Sequence, residues 1–255
     1  MNRNPLSKNK IGYIRSLRLL KNRREYRTFV AEGSKLILDL IQNLRCQLLV
    51  LSPECEELFG EAYAEEVVYA SRSDIKKASH LATPPNALAV FHQPQYYLAS
   101  INYQSKLSLV LDDIQDPGNL GTIIRLADWF GIENIFCSHH TVDMYNTKTV
   151  QATMGALARV NIHYVDIETF ISEANKNHEM PIYGALLDGE NIYNHPLSNT
   201  ALIVMGNEGR GIRSAIQPLI SHRLHIPNFS SQSITSESLN VAVATAVICS
   251  EFRRR

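Results

Sequence analysis

Ile11, Ile14, Leu17 and Leu20 recur at three-residue spacing between basic residues, which predicts one basic amphipathic helix over 8–27. Residues 29–33 read as a short strand and turn, and Ser34 is placed as the cap of a helix running to 43. A strand at 47–51, an exposed glutamate-rich helix at 54–66, a strand at 67–70, a helix capped by Ser73 and a strand at 87–91 complete a small α/β alternation. Residues 92–105 lack periodicity and read as a linker. From Leu107 a second alternation begins. Leu107–Leu111 is continuously apolar, the mark of a parallel strand buried on both faces. Helices follow at 120–130, 147–158, 167–177, 211–220 and 237–252, and strands at 134–137, 160–164, 182–187, 201–205 and 222–226. Strands alternating with helices imply an α/β fold with a parallel sheet covered on both faces. The predicted domains are 1–98 and 105–255.

Charge changes this picture only locally. The 255 residues balance to zero net charge, with 45% hydrophobic and 20% charged residues. Residues 1–30, however, carry nine basic residues against one acid, Glu25, while 54–66 carry six glutamates and no cation. The chain closes on Arg253-Arg254-Arg255. Such separation either binds a polyanion or simply solvates a helix face, and charge alone does not choose between them. Cys46, Cys55, Cys137 and Cys249 form no C-x-x-C pair, so the spacing suggests neither a zinc site nor a disulfide framework. His139-His140 lacks an evident third ligand, and no metal is expected. With no signal-like or membrane-length apolar run, a cytoplasmic protein without a membrane partner is expected.

Three segments hold the candidate chemistry. In 111–125 a strand runs through Asp116-Pro117-Gly118 into a helix that carries Asn119, Gly121 and Arg125. Helical side chains lean toward the N-terminus, so Arg125 leans over a residue with no side chain. That arrangement suits a phosphate or a ribose better than a plain surface charge does. In 201–211 a buried strand meets three glycines, Gly206, Gly209 and Gly211, around Glu208. A phosphate-cradling loop would want lysine there, so a P-loop reading fails. By itself the segment could also be an ordinary strand-to-helix turn. In 224–247 a strand ends at Ile226-Pro227 and a glycine-free loop leads to a helix placed with Ser236 as its cap. That helix is rich in small residues, Ala242, Ala244, Thr245 and Ala246, fit for close packing, a subunit interface or a cofactor wall.

Asn119-x-Gly-x-x-x-Arg125, Met205-Gly-Asn-Glu-Gly-Arg-Gly and Ile226-Pro followed by Glu237-Ser-Leu-Asn-Val-Ala-Val-Ala resemble the three ordered motifs of the SpoU/TrmH-type (SPOUT) RNA ribose 2′-O-methyltransferases. The N-terminal half, with 21–33 and 83–91, resembles the substrate-binding domain of many members, which is akin to ribosomal kink-turn-binding proteins. The resemblance implies a deep trefoil knot in the C-terminal domain, a homodimer formed through that domain, and S-adenosyl-L-methionine as cofactor. It places cofactor contacts at Gly206, Ile226 and Leu239, with Leu186 as a further candidate, and a catalytic cluster at Asn119, Arg125, Glu208, Ser238 and Asn240. Its one departure is the loop 228–236, longer than is usual in the family and without glycine.

Ribosomal RNA is the expected substrate, ahead of transfer RNA. A guanidinium does not give up its proton in proteins, so Arg125 reads as an anchor for phosphate and developing alkoxide, oriented by Asn119 and Glu208, rather than as a base. A non-catalytic RNA-binding module of the same fold and a structural ribosome-associated protein are the rivals. A Rossmann-type small-molecule methyltransferase fits poorly, because only Gly118 precedes Asn119 after the first strand.

Overall fold

A computed structural model describes residues 6–60, 62–96, 98, 101–232 and 237–254, with 177 and 178 described by backbone alone. The terminal cations Arg3 and Arg255 and the expected cap Ser236 lie outside the described residues. The chain divides into two compact units: one takes in residues up to Gln95 together with Asp143–Arg159, the other Tyr96–Val142 and the chain from Val160.

In the first unit, β1 (Thr28–Glu32), β2 (Cys46–Leu51), β3 (Glu66–Tyr69) and β4 (Ala87–His92) form a sheet in the order β1-β4-β2-β3. Only β2 and β3 pair in parallel. Alternation along the strands splits the core. Val30, Leu48, Val50, Leu88 and Val90 pack with Ile14 and Leu17 of the α1 (Lys8–Ser16) region and Ile75 and Ala78 of α4 (Arg72–Ala78). Phe29 points the other way and stacks on Phe91 and on Tyr145, with ring centroids 5.7 and 4.7 Å apart. The opposite side also receives α3 (Ser34–Leu40) and α6 (Thr147–Thr153), both of which contact β1.

Four expectations change here. The single helix 8–27 is two, α1 and α2 (Leu20–Tyr26), because Leu19 is extended. The buried Arg23 supports the break: its Nη1 donates to the carbonyls of Leu17 and Arg18, both at 2.8 Å, while Asp143 takes the rest of the guanidinium at 2.6 Å. Ser34 does not cap α3; Gly33, at φ 102°, holds the cap position with no side-chain bond. Ser71 rather than Ser73 caps α4. The glutamate-rich stretch makes two 3₁₀ turns, Pro53–Cys55 and Glu57–Phe59, instead of an α-helix. In a helix, Glu54, Glu57, Glu61 and Glu65 would stack like charges three and four apart.

The second unit is a parallel sheet of β5 (Leu107–Leu111), β6 (Asn134–Ser138), β7 (Asn161–Val165), β8 (Ile182–Asn191), β9 (Ala201–Met205) and β10 (His222–His225), in the order β10-β8-β9-β5-β6-β7. Every residue of the central β5, β6 and β9 is buried, which explains the apolar or small character of all of them except Asn134. One face packs on α7 (Ile167–His178) through Val110, Phe136, Ile167, Phe170 and Ile171. In addition α5 (Pro117–Trp129) and α8 (Val241–Arg254) pack against each other. The expected helix 211–220 is absent. Gly211 adopts φ 69° and only the 3₁₀ turn Gln217–Leu219 forms, around Pro218. Helix 147–158 stops at Thr153, where Met154 and Gly155 turn left-handed, and resumes as the 3₁₀ turn Ala156–Ala158. The last helix begins at Val241 rather than 237.

All four cysteines are buried free thiols, and burial pushes Cys46 and Cys249 up to about 12. Among the described residues no helix is long and apolar enough to cross a membrane, and no group of three or more His, Cys, Asp or Glu could hold a metal.

His163 on β7 stacks on Phe136 and meets Tyr96 edge-on, at centroid distances of 5.3 and 5.6 Å, with Nε2 buried and unbonded. Burial pulls its pKa from 6.5 to about 4. As pH falls the unfolded chain therefore takes up the proton first. The stability this ring contributes is whole above pH 6.5 and is lost between 6.5 and 4. Urea unfolding at pH 7 and pH 4.5 should show about 1–2 kcal/mol of that loss, the shift being damped by solvent screening, removed by His163→Phe. An unchanged pH dependence in the variant would contradict the assignment.

Candidate active site at the carboxyl ends of the central strands

β5 and β9 are neighbours, paired from Leu107↔Ala201 to Leu111↔Met205. From β5 the chain builds outward through β6 and β7, whereas β8 and β10 lie on the far side of β9. This is the switch point of the sheet, where loops leaving adjacent strands diverge and open a crevice.

The loop after β5 is fixed by its two aspartates. Asp112, fully buried, accepts from Arg213 Nε at 2.6 Å and from the Arg213 backbone N–H at 2.8 Å. Asp113, at φ 66°, pairs with Arg210 at 2.6 Å, and its carbonyl accepts from Asn207 Nδ2 at 2.7 Å. Asp116 then caps α5 by accepting from the Asn119 N–H at 2.8 Å, with Pro117 at the first helical position.

The loop after β9 closes on itself. Asn207 and Gly211 exchange backbone bonds of 3.0 and 2.9 Å, and Asn207 Oδ1 accepts from the N–H groups of Gly209 and Arg210 at 3.0 and 3.1 Å. Gly206 makes this possible, since a Cβ there would lie 2.3 Å from Gly211 C and Ile212 N. Glu208 sits at the tip of the loop. Its Oε1 accepts from Asn119 Nδ2 at 3.0 Å and the Asp116 N–H at 3.4 Å, and its Oε2 from the Gln115 N–H at 3.4 Å.

The third segment joins at Asn240, whose Nδ2 donates to Asn119 Oδ1 at 3.0 Å. Asn240 Oδ1 accepts from the N–H groups of Ala242 and Val243 at 3.0 and 3.3 Å, so Asn240 caps α8. The polarity follows from the carboxylate. An ionised Glu208 only accepts, so Asn119 turns its NH₂ toward Glu208 and its oxygen toward Asn240. Asn240 must then offer its own NH₂, leaving its oxygen for the helix N-terminus. A directional chain, Asn240 to Asn119 to Glu208, thus ties the three segments together.

Arg125 and Ser238 are not joined to this chain by hydrogen bonds among the described residues; both are exposed. Arg125 lies six residues beyond Asn119, about 9 Å along α5. It shares the exposed face with Thr122 and with Trp129, which is 84% exposed. Gly206 is buried, Leu186 and Ile226 are half-buried, and Leu239 is 50% exposed. The β8–β9 pairing ends at Gly184↔Val204, two residues before both Leu186 and Gly206, and Ile226 follows the last residue of β10. Leu186 belongs to a five-residue excursion within β8, since Arg223↔Gly184 is followed directly by Leu224↔Glu190. Apolar side chains beside tightly folded loop backbone suit a ligand with an apolar ring and polar edges, and S-adenosylmethionine fits that donor set.

The sequence reading missed Asp112, Asp113, Asn207, Arg210 and Arg213. The available signal was complementary charge: two acids directly after one buried strand and two arginines in the loop after another.

Residues 106–250 match the model of the SpoU rRNA Methylase family, and 8–89 match an MRM3-like substrate binding domain. A 23S rRNA (guanosine(2553)-2′-O)-methyltransferase, RlmP, of Bacillus subtilis is 28% identical over 246 residues, covering 96% of both chains. A structure of a putative RNA methyltransferase of the TrmH family from Porphyromonas gingivalis is 40% identical, with 98% of each chain covered and a TM-score of 0.88. An AdoMet-bound rRNA methyltransferase from Sinorhizobium meliloti is 29% identical, with 98% and 96% of the chains covered and a TM-score of 0.86. With more than half its length in the family model and the three motif segments linked in space, the chain belongs to the SpoU rRNA methylase family.

Proposed function

We propose that the protein transfers a methyl group from S-adenosyl-L-methionine to a ribose 2′-hydroxyl of ribosomal RNA. The observation that carries this reading is the Asn240–Asn119–Glu208 chain, which assembles one polar cluster from three distant segments at the switch point of the sheet. Ribosomal rather than transfer RNA is favoured by the Bacillus subtilis and Sinorhizobium meliloti relatives, both named for rRNA.

When bound, the cofactor supplies a methyl group already activated on a sulfonium. The rest falls to the chain. Leu186, Ile226 and Leu239 provide apolar walls, and the loop closed at Gly206 supplies rigid backbone. Asn119, with its amide held by Glu208 and Asn240, is a fixed polar group beside the reacting hydroxyl. Ser238 and Asn240 precede α8 and complete the rim. Arg125 keeps its proton and binds the neighbouring phosphate, holding the ribose in place and stabilising negative charge as the hydroxyl proton departs. Residues 1–98 bind the RNA and 105–255 perform the transfer, with the C-terminal domain knotted as its family resemblance implies.

The reading includes a homodimer through the C-terminal domain. Trp129 at 84%, Val243 at 51% and Leu239 at 50% exposure lie on or beside the packed pair α5 and α8, a costly amount of apolar surface to leave in water.

Calorimetric titration of the purified chain with S-adenosyl-L-methionine tests the cofactor half of the proposal directly. One site per chain is expected. Absence of binding, with the protein folded, would overturn it.

A further inference from the structure

The first unit contains a concavity that the methyl-transfer site does not use. Arg15, Arg18, Leu19, Lys76, Lys77, Ser79 and His80 line a cavity of about 290 Å³ where the C-terminal ends of α1 and α4 come together. A cation near a helix C-terminus is ordinary, because it offsets the helix dipole. Here α1, the turn that follows it and α4 bring four cations around one opening. Among the described residues only Lys77 of the four forms an ion pair, with Asp74 at 2.7 Å, while Arg18 lies within electrostatic reach of the buried Glu32 carboxylate. Arg18 spends one N–H on the His80 carbonyl at 3.0 Å, and among the described residues no ion pair engages Arg15 or Lys76. Unbalanced cations facing one space repel one another unless an anion enters.

The floor of the cavity is rigid and adds no charge of its own. His80 Nε2 donates to the Ile14 carbonyl at 2.9 Å, and Nδ1 lies 3.0 Å from the Thr147 hydroxyl, which can donate to it when the ring is neutral. Burial lowers its pKa, against the Ile14 hydrogen bond and with the help of the nearby arginines, which favours the neutral ring. Behind it Glu32 accepts from the Ser79 hydroxyl and from the His80 N–H at 2.7 Å, which fixes the chain where it leaves α4. Leu19, 62% exposed, gives the rim an apolar edge that a ribose or base could cover.

We infer that this α1–α4 cleft is a phosphate-backbone clamp, in which Arg15, Arg18, Lys76 and Lys77 grip consecutive phosphodiesters of the RNA whose ribose is methylated elsewhere on the chain. The inference rests on the proposed function. It adds to that reading a separate docking site that contributes affinity without reading base identity.

The test is binding of the full chain to in vitro transcribed 23S ribosomal RNA at several salt concentrations. Arg15→Ala/Lys76→Ala should weaken binding about 10–100-fold at ~0.1 M salt and lower the slope of log K against log salt by about 2, near 0.9 for each phosphate no longer neutralised. Arg15→Lys/Lys76→Arg should keep most of the affinity. Lys21→Ala/Arg24→Ala removes equal charge from α2, outside the cleft, and should cost at most about threefold in the same salt series. Equal losses from the α2 and cleft pairs would overturn the clamp in favour of diffuse attraction, and so would an unchanged slope in the cleft variant. Thermal unfolding confirms that each variant is folded; these side chains are exposed, and the charge-keeping pair tests the cleft even if the alanine pair is destabilised. If the wild-type chain does not bind this RNA at all, the proposed function fails and the clamp fails with it.

Discussion

Arg125→Ala should abolish methyl transfer, lowering turnover at least about a hundredfold while leaving cofactor affinity within about twofold. The split follows from where Arg125 stands. It is exposed on α5, with no hydrogen bond to the Asn240–Asn119–Glu208 chain among the described residues, so its removal leaves that chain and the Gly206 loop in place. Helical side chains lean toward the N-terminus, which directs Arg125 toward the Asn119 end of α5. A role as phosphate anchor and charge stabiliser requires a cation with several donors in a fork, so Arg125→Lys should recover only a small part of the activity. Single-turnover rates with radiolabelled cofactor, beside calorimetry, separate the two quantities. Full turnover in Arg125→Ala would remove the residue from the site, and lost cofactor binding would move it to the cofactor pocket.

Gly206→Ala should be as damaging to activity by a different route. The new methyl would lie 2.3 Å from backbone atoms of both Gly211 and Ile212, where no flexible side chain can move aside. The loop must open, and the bonds between Asn207 and Gly211 go with it. A cost of about 1–3 kcal/mol is expected from the overpacking, with cofactor affinity falling at least about tenfold. Gly209→Ala is the matched control. Its nearest new neighbour would be Asn207 Oδ1 at 3.8 Å, an ordinary contact, so binding should change little. Urea unfolding and cofactor titration on both variants check the contrast, and equal behaviour of the pair would refute the packing argument.

The strands that frame this loop were legible in the sequence for a simple reason. β5 and β9 are buried on both faces, so burial wrote unbroken apolar or small residues between polar ends, and 107–111 and 201–205 match the observed bounds. Elements decided by tertiary contacts were not legible. The pattern at 211–220 allows a helix, but the loop instead closes through the paired backbone bonds between Asn207 and Gly211, with Gly211 left-handed at φ 69°. The periodicity over 8–27 carries through Leu17, yet Arg23 stabilises a break there by donating to carbonyls that α1 leaves free. The sequence pattern places Ser236 as the cap of the last helix, but Asn240 caps α8 at Val241, in the same geometry that lets its amide donate to Asn119.

The site divides along the same line. Asn119, Glu208 and Asn240 were readable because their motifs keep their residues and order. Their linkage into one directional chain was not, because hydrogen-bond polarity across three loops depends on which loops touch. Asp112 with Arg213 and Asp113 with Arg210, which hold the first loop to the second, lie beside the motif residues and carry no pattern until the sheet brings β5 and β9 together.

Ribose methylation leaves a chemical signature that base methylation does not. Alkali cleaves RNA through the 2′-hydroxyl, so a 2′-O-methyl group protects the phosphodiester that follows it. The most direct test incubates the purified chain with S-adenosyl-L-methionine and ribosomal RNA from a strain lacking the gene, then maps alkaline cleavage at each nucleotide. One newly protected phosphodiester in 23S ribosomal RNA is expected, present with the wild-type chain and absent with Arg125→Ala. Methyl incorporation without any protected position would contradict transfer to a ribose.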